Sequence, residues 1–181
     1  KILLLAAFPD FEHKFLRNWL SENGYAIASR TLISKNKYDK TFINTAPVNL
    51  DKVTISLLNQ FDVIISDATE LDALSKTEQS AIYTQVQENG MGLVVEADSI
   101  VSPGAFYAAP FKLYPYHGKQ PSPAFLYVKD ADKSTAPLPG EINSYIRYRP
   151  GEQALVFDSS SNILVSSSME GYGKILFSAI N

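Results

Sequence analysis

Cysteine is missing from this 181-residue chain. Its absence removes disulfides, thiolate nucleophiles and Cys-ligated zinc or iron–sulfur sites in one step, and leaves the redox compartment open. Histidine is scarce: His13 and His117 are the two present, too few for a multi-His metal site within one copy. A basic excess is lacking, since 16 Lys and Arg stand against 19 Asp and Glu for a formal net charge of −3. Without a broad positive field, nucleic acid is not an expected partner. No apolar run approaches the ~20 residues that span a bilayer, and no signal-peptide pattern is present. Gly90-Met91-Gly92 precedes a strand pattern, whereas a phosphate cradle opens a helix, so that reading fails.

What is present reads as an α/β fold. Residues 2–7 (Ile-Leu-Leu-Leu-Ala-Ala) form an unbroken apolar run, the pattern of a strand buried on both faces of a parallel sheet. Pro9 and Asp10 stop it, and Asp10 is placed to cap the helix that follows. That helix is expected to set Phe15, Leu16, Trp19 and Leu20 on its core face, and Gly24 ends it. A chain of this length buries roughly 70% of its unfolded surface, so folding requires no metal or disulfide. Lys1 leads straight into a strand, and residues 173–180 read as a strand reaching the other terminus. Chain ends ordinarily fray, so the expectation is a domain excised from a longer protein.

A second strand is expected from Tyr25 to Ile33. Residues 34–48 lack clear periodicity and carry Lys35, Lys37, Tyr38, Lys40 and Phe42, which suggests a long binding loop. Leu50, Val53, Leu57, Leu58 and Phe61 follow helical spacing, with Asn49 or Asp51 as the cap. Residues 62–66 make a third strand, ending at Asp67. Ser75-Lys76-Thr77-Glu78 is a capping box that opens a helix running to Asn89. Residues 93–98 make a fourth strand. Beyond residue 98, prolines and glycines multiply and short alternating runs appear at 125–128, 145–148, 153–158 and 163–168. These read as antiparallel strands that extend the first sheet or pack on it. The expected organisation is one domain over residues 1–181: an α/β core over 1–98 and a β-rich extension over 99–181 that completes the sheet.

Three stretches carry a family resemblance: Pro9-Asp10-Phe11-Glu12-x-Lys14-Phe15-Leu16-x-Asn18-Trp19-Leu20, Arg30-Thr31-x-Ile33-Ser34-Lys35-x-Lys37-Tyr38 and Phe61-Asp62-Val63-Ile64-Ile65-Ser66-Asp67. With the closing Gly171-x-Gly173-Lys174-Ile175, the chain resembles the class I glutamine amidotransferase-like domains found within membrane-anchored proteins of bacterial cell envelopes. The resemblance implies a three-layer, flavodoxin-like core with a parallel sheet. It also implies an extracytoplasmic domain of a membrane protein. The enzymes of that family carry a cysteine nucleophile at the turn after a core strand, with a downstream His and Glu. The corresponding turn here is Glu96-Ala97-Asp98-Ser99, with no cysteine, no Gly-x-Ser-x-Gly elbow and no His-x-Glu pair downstream. The scaffold is implied without the glutaminase, and a fold alone carries no function.

Ligands of open parallel sheets bind beyond the carboxyl ends of the strands. Asp10, Glu12 and His13 follow the first strand, Arg30 and Thr31 the second, Asp67 and Thr69 the third, Asp98 and Ser99 the fourth. The carboxylates suit a hard cation, but strand-end Asp residues also cap helices, which is the favoured reading. Arg30 with Lys35, Lys37 and Tyr38 suits an anion; the competing reading is an ion pair of Arg30 with Asp10, Glu12 or Asp67. Ser99 with His13 would make a hydrolase if a third group oriented them. Three functions follow: a non-catalytic module binding a small anionic ligand or a partner protein, a hydrolase or amidase of altered chemistry using the carboxylates and His13, or a structural spacer. No metal or cofactor is expected.

Overall fold

The computed structural model describes residues 1–35, 37–97, 101–102, 104–115, 122–128, 138–142 and 144–180. All five residues of strand β1 (Ile2–Ala6) are buried, and its two faces serve two cores. Leu3 and Leu5 join a large cluster that includes Ala81, Ile82 and Val86. Ile2 and Leu4 pack with Leu20, Ile27 and the half-buried Leu16. The unbroken apolar run thus has its reason: each alternate residue meets a different layer of helix.

β1 lies between β2 (Ile27–Ser34) and β4 (Val63–Asp67), parallel to both. β5 (Gly92–Glu96) continues the parallel set beyond β4, and β12 (Gly173–Ser178) lies parallel to β5. The parallel core therefore runs β2-β1-β4-β5-β12, the doubly wound order of flavodoxin-like folds. The whole sheet is mixed. β3 (Lys37–Ile43) is antiparallel to β2 at one edge. On the other side β11 (Ile163–Glu170) and β10 (Glu152–Phe157) add antiparallel strands, followed by β7 (Ser122–Val128) and β8 (Leu138–Ile142). β6 (Lys112–Pro115) pairs with β9 (Ser144–Arg147), and β9 bridges to β11. The second half extends the sheet.

Helix α1 (Phe11–Glu22) is capped by Asp10, whose carboxylate accepts from the His13 backbone N–H. α2 (Ile55–Leu58) is capped by Thr54, and α3 (Ala68–Ala73) by Asp67. α4 (Lys76–Asn89) opens with the full Ser75–Glu78 capping box and ends at Gly90 in the left-handed conformation, φ 75°.

Three sequence expectations are corrected. Residues 37–43 are a hairpin strand, β3, whose first four residues are exposed and last three half-buried; an edge strand wet along half its length shows little apolar alternation, so its periodicity was hidden. The helix near residue 55 is a single turn, and Asn49 instead accepts from the Asp51 N–H. The core face of α1 is narrower than expected: Leu20 is buried and Leu16 half-buried, whereas Phe15 and Trp19 are 64% and 48% exposed.

The β11–β12 turn explains the closing Gly-x-Gly. The Tyr172 N–H donates to the Gln87 carbonyl at 2.9 Å, bringing the turn onto the last turn of α4. A Cβ on Gly173 would run into the backbone oxygens of Val86 and Met91, neither of which has freedom to move aside. Gly173→Ala is therefore expected to cost about 1–3 kcal/mol through overpacking. Urea titration should show a lower midpoint at unchanged slope; an unchanged midpoint would refute the close approach.

Candidate functional site

Asp10 makes two bonds to one residue. Its Oδ1 accepts from the His13 backbone N–H, and its Oδ2 lies 2.6 Å from His13 Nδ1. The ring is thereby held in place, with its side chain 12% exposed. The Nδ1 edge of the ring is thus engaged by the Asp10 carboxylate, and His13 also lines the adjacent cleft. This carboxylate–imidazole pair stands on the first turn of α1, beyond the carboxyl end of β1.

Beside it lies a cleft of about 410 Å³ between α1 and the β2–β3 hairpin. Asp10, His13, Lys14 and Arg17 line one wall, Ser29 and Thr31 of β2 and Asp39 of β3 the other; Leu4, Pro9, Phe11 and Ile33 supply apolar surface. The lining follows from strand alternation. Ser29, Thr31 and Ile33 share the α1 face of β2 with Ile27, which packs against Leu20. Arg17 Nη1 reaches Thr41 Oγ1 at 3.5 Å, spanning from helix to hairpin.

The same alternation takes Arg30 away from the cleft. Its Nη2 donates to Glu70 Oε1 at 2.7 Å and its Nη1 to the Leu50 carbonyl at 3.1 Å, while Tyr38 covers the guanidinium at 4.9 Å. Both ionised side chains are 2% exposed. The ion-pair partner of Arg30 is therefore Glu70 rather than the expected Asp10, Glu12 or Asp67; Asp10 is turned to His13, and the Asp67 oxygens accept backbone N–H groups. Burial pushes the Glu70 carboxyl up, and Arg30 opposes that push. Asp67 is itself buried, its Oδ2 accepting from Ala7 N–H at 2.8 Å and its Oδ1 from Glu70 N–H at 2.6 Å. Lys35 and Lys37 are exposed on the hairpin. Asp98, Ser99 and His117 lie outside the described residues. Among the described residues, no group of three or more His, Cys, Asp or Glu is placed to hold a metal ion.

Two participants escaped the sequence reading. Glu96 ends β5, in register with Asp67 on one side and Ser178 on the other. Burial, then the charge of Glu12, pushes its carboxyl up to about 7, while His13 pulls the other way. The signal was a lone acid closing the apolar run Leu93-Val94-Val95. Glu70 was also legible, standing three residues after Asp67 in capping spacing.

No family model and no curated protein sequence matches the chain. Solved structures do. A cytoplasmic protein from Salmonella typhimurium aligns over 100% of this chain and 87% of its own, with TM-score 0.60 and 11% identity. A protein described as a GMP synthase subunit from Thermoplasma acidophilum aligns over 99% and 83%, at 0.55 and 9%. A glutamine amidotransferase from Thermotoga maritima aligns over 99% and 75%, at 0.54 and 7%. The fold is glutamine amidotransferase-like. At these identities the likeness extends to fold alone. No helix among the described residues is long and apolar enough to cross a membrane.

Two outcomes test the electrostatics. Arg30→Ala and Glu70→Ala should each cost about 3–5 kcal/mol, because each strands a buried charge, whereas Arg30→Met with Glu70→Leu should be much milder. Equal losses in all three variants would contradict this. For Glu96, the native state holds its proton between the ordinary value of 4.5 and about 7 while the unfolded state releases it. Stability should therefore fall as pH rises through that window, and Glu96→Gln should flatten the slope. Melting curves across the window check it.

Proposed function

We propose that this domain is a non-catalytic ligand-binding module whose site is the cleft between α1 and the β2–β3 hairpin. The carrying observation is that the cleft gathers the Asp10–His13 pair together with Lys14 and Arg17 beyond the end of β1. Lys14 and Arg17 suit an anion, and Arg suits a carboxylate or phosphate best. Thr31 and the His13 ring supply further polar contacts, and Leu4, Phe11 and Ile33 accommodate an apolar body. A small carboxylate or phosphate with an apolar portion fits this mixture of a few polar groups on apolar walls. The scaffold is read as three-layered. Placement in a membrane-anchored bacterial envelope protein, on the extracytoplasmic side, rests on family resemblance alone.

A second reading has its own support. The Asp10–His13 pair sets an oriented imidazole at the cleft, and the Glu96 carboxyl is pushed up to about 7 beside Glu12 and His13. These are the ingredients of general acid–base chemistry, and perturbed titrations concentrate at active sites. They favour a hydrolase of altered chemistry over a spacer, which needs neither a cleft nor a shifted group.

A thermal-shift panel of phosphates and small carboxylates, run with Arg17→Ala and His13→Ala, tests the binding site. A ligand at 100 times its Kd adds about 2.7 kcal/mol, worth ~5–11 °C in a domain of this size. The expected result is a shift that Arg17→Ala removes. A flat panel, or a shift indifferent to both variants, rejects the cleft. Turnover of activated esters or amides that His13→Ala abolishes would install the hydrolase reading instead.

A further inference from the structure

α1 has a second apolar face that the fold leaves uncovered. Phe11, Phe15 and Trp19 stand four residues apart, 79%, 64% and 48% exposed, and Phe8 just before the helix is 61% exposed. Leu16 and Leu20 face the sheet, so this aromatic row lies on the outer side of the helix. No aromatic–aromatic or cation–π contact involves these four among the described residues. A row with four-residue spacing is one of the ridges by which helices interlock.

We propose that this face is the dimer interface of the protein, with α1 of one copy packed antiparallel on α1 of a second. The spacing is self-complementary. Phe15 is the midpoint of the row, so a two-fold axis at Phe15 sets it against its own copy and sets Phe11 against the partner's Trp19. A two-fold interface requires such a patch, in which the same residues meet in reversed order. The residue on the axis is uncharged, so no charge opposes itself there. Area favours the same occupant. An aromatic side chain buries about 150–250 Å², so the four exposed fractions leave about 500 Å² on one copy. Two copies together reach about 1,000 Å², the lower bound for a specific interface before any flanking residue is counted. Aromatic enrichment at the centre of a patch is what protein interfaces show. Phe11 also lines the cleft, so the partner's Trp19 would stand at its rim. That consequence alone rests on the ligand-binding reading; the dimer does not.

Trp19 is the chain's single tryptophan, so its fluorescence reports on this face without labelling. Sedimentation velocity and emission spectra of the full chain, taken from micromolar to sub-millimolar concentration, make the test. The expected result is a mass rising from 20.0 kDa towards twice that value, with a blue shift of Trp19 emission over the same range. Phe15→Glu should abolish both changes without altering circular dichroism or melting, since the side chain is 64% exposed. Tyr172→Glu, at an aromatic 80% exposed on the β11–β12 turn, should leave both intact. A monomer at every concentration overturns the proposal, including one whose Trp19 shifts only on lipid vesicles or with another protein. A dimer that survives Phe15→Glu, or whose formation leaves Trp19 emission unmoved, overturns it equally.

Discussion

The buried contact between Arg30 and Glu70 is the constraint on which the carboxyl end of the sheet depends. Arg30 enters from β2, Glu70 from the first turn of α3, and Leu50 offers a carbonyl from the segment between them. Asp67 adds the third corner, accepting one bond from the chain leaving β1 and one from the amide of Glu70. Four segments thus converge on a single buried polar knot of one guanidinium and two carboxyl groups. A pair at this depth adds little net stability over apolar packing of the same shape, yet removing one member leaves a charge that nothing solvates. Its value is geometric: with these groups committed, β1 and β2 end in one defined register, and the cleft beside them has fixed walls.

That division of labour follows the pleat. Along β2, Ala28 belongs to the large core and the buried Arg30 shares its face, while Ile27, Ser29, Thr31 and Ile33 lie on the α1 side. A single strand therefore supplies structural chemistry on one face and ligand-facing chemistry on the other. In a doubly wound sheet the strand order reverses beside β1, where binding crevices form. Here Asp67 occupies the β1–β4 side of that position, and open volume is found instead on the β1–β2 side, under α1.

How far the sequence disclosed this depends on what each residue reports. The apolar run of β1, the Ser75–Glu78 capping box and the Gly90 stop are local signals, and each corresponds to the element found. β3 left no clear signal because its first four residues are exposed and only the last three are half-buried. Arg30 declared itself as an oddity in an apolar strand, but its partner is 40 residues away, and pairing at that separation is set by the order in which strands and helices wind. Glu96 shows the same limit. Its identity marks the end of β5, whereas its titration depends on burial and on Glu12, a residue of α1.

The first helix shows how pattern and packing separate. Its apolar residues at 11, 15, 16, 19 and 20 make two adjacent rows, and periodicity says only that both are apolar. Flat on a sheet, a helix buries one arc; Leu16 and Leu20 take it, and Phe11, Phe15 and Trp19 face outward because Lys14, Arg17 and His13 need the rim of the cleft. Turning α1 to bury the aromatics would swing Arg17 and His13 out of the cleft. The cleft chemistry and the exposed aromatic row are thus two outcomes of one rotation angle. A residue row that costs solubility persists where the alternative orientation would dismantle a site, and the same angle that opens the cleft presents the row to a partner.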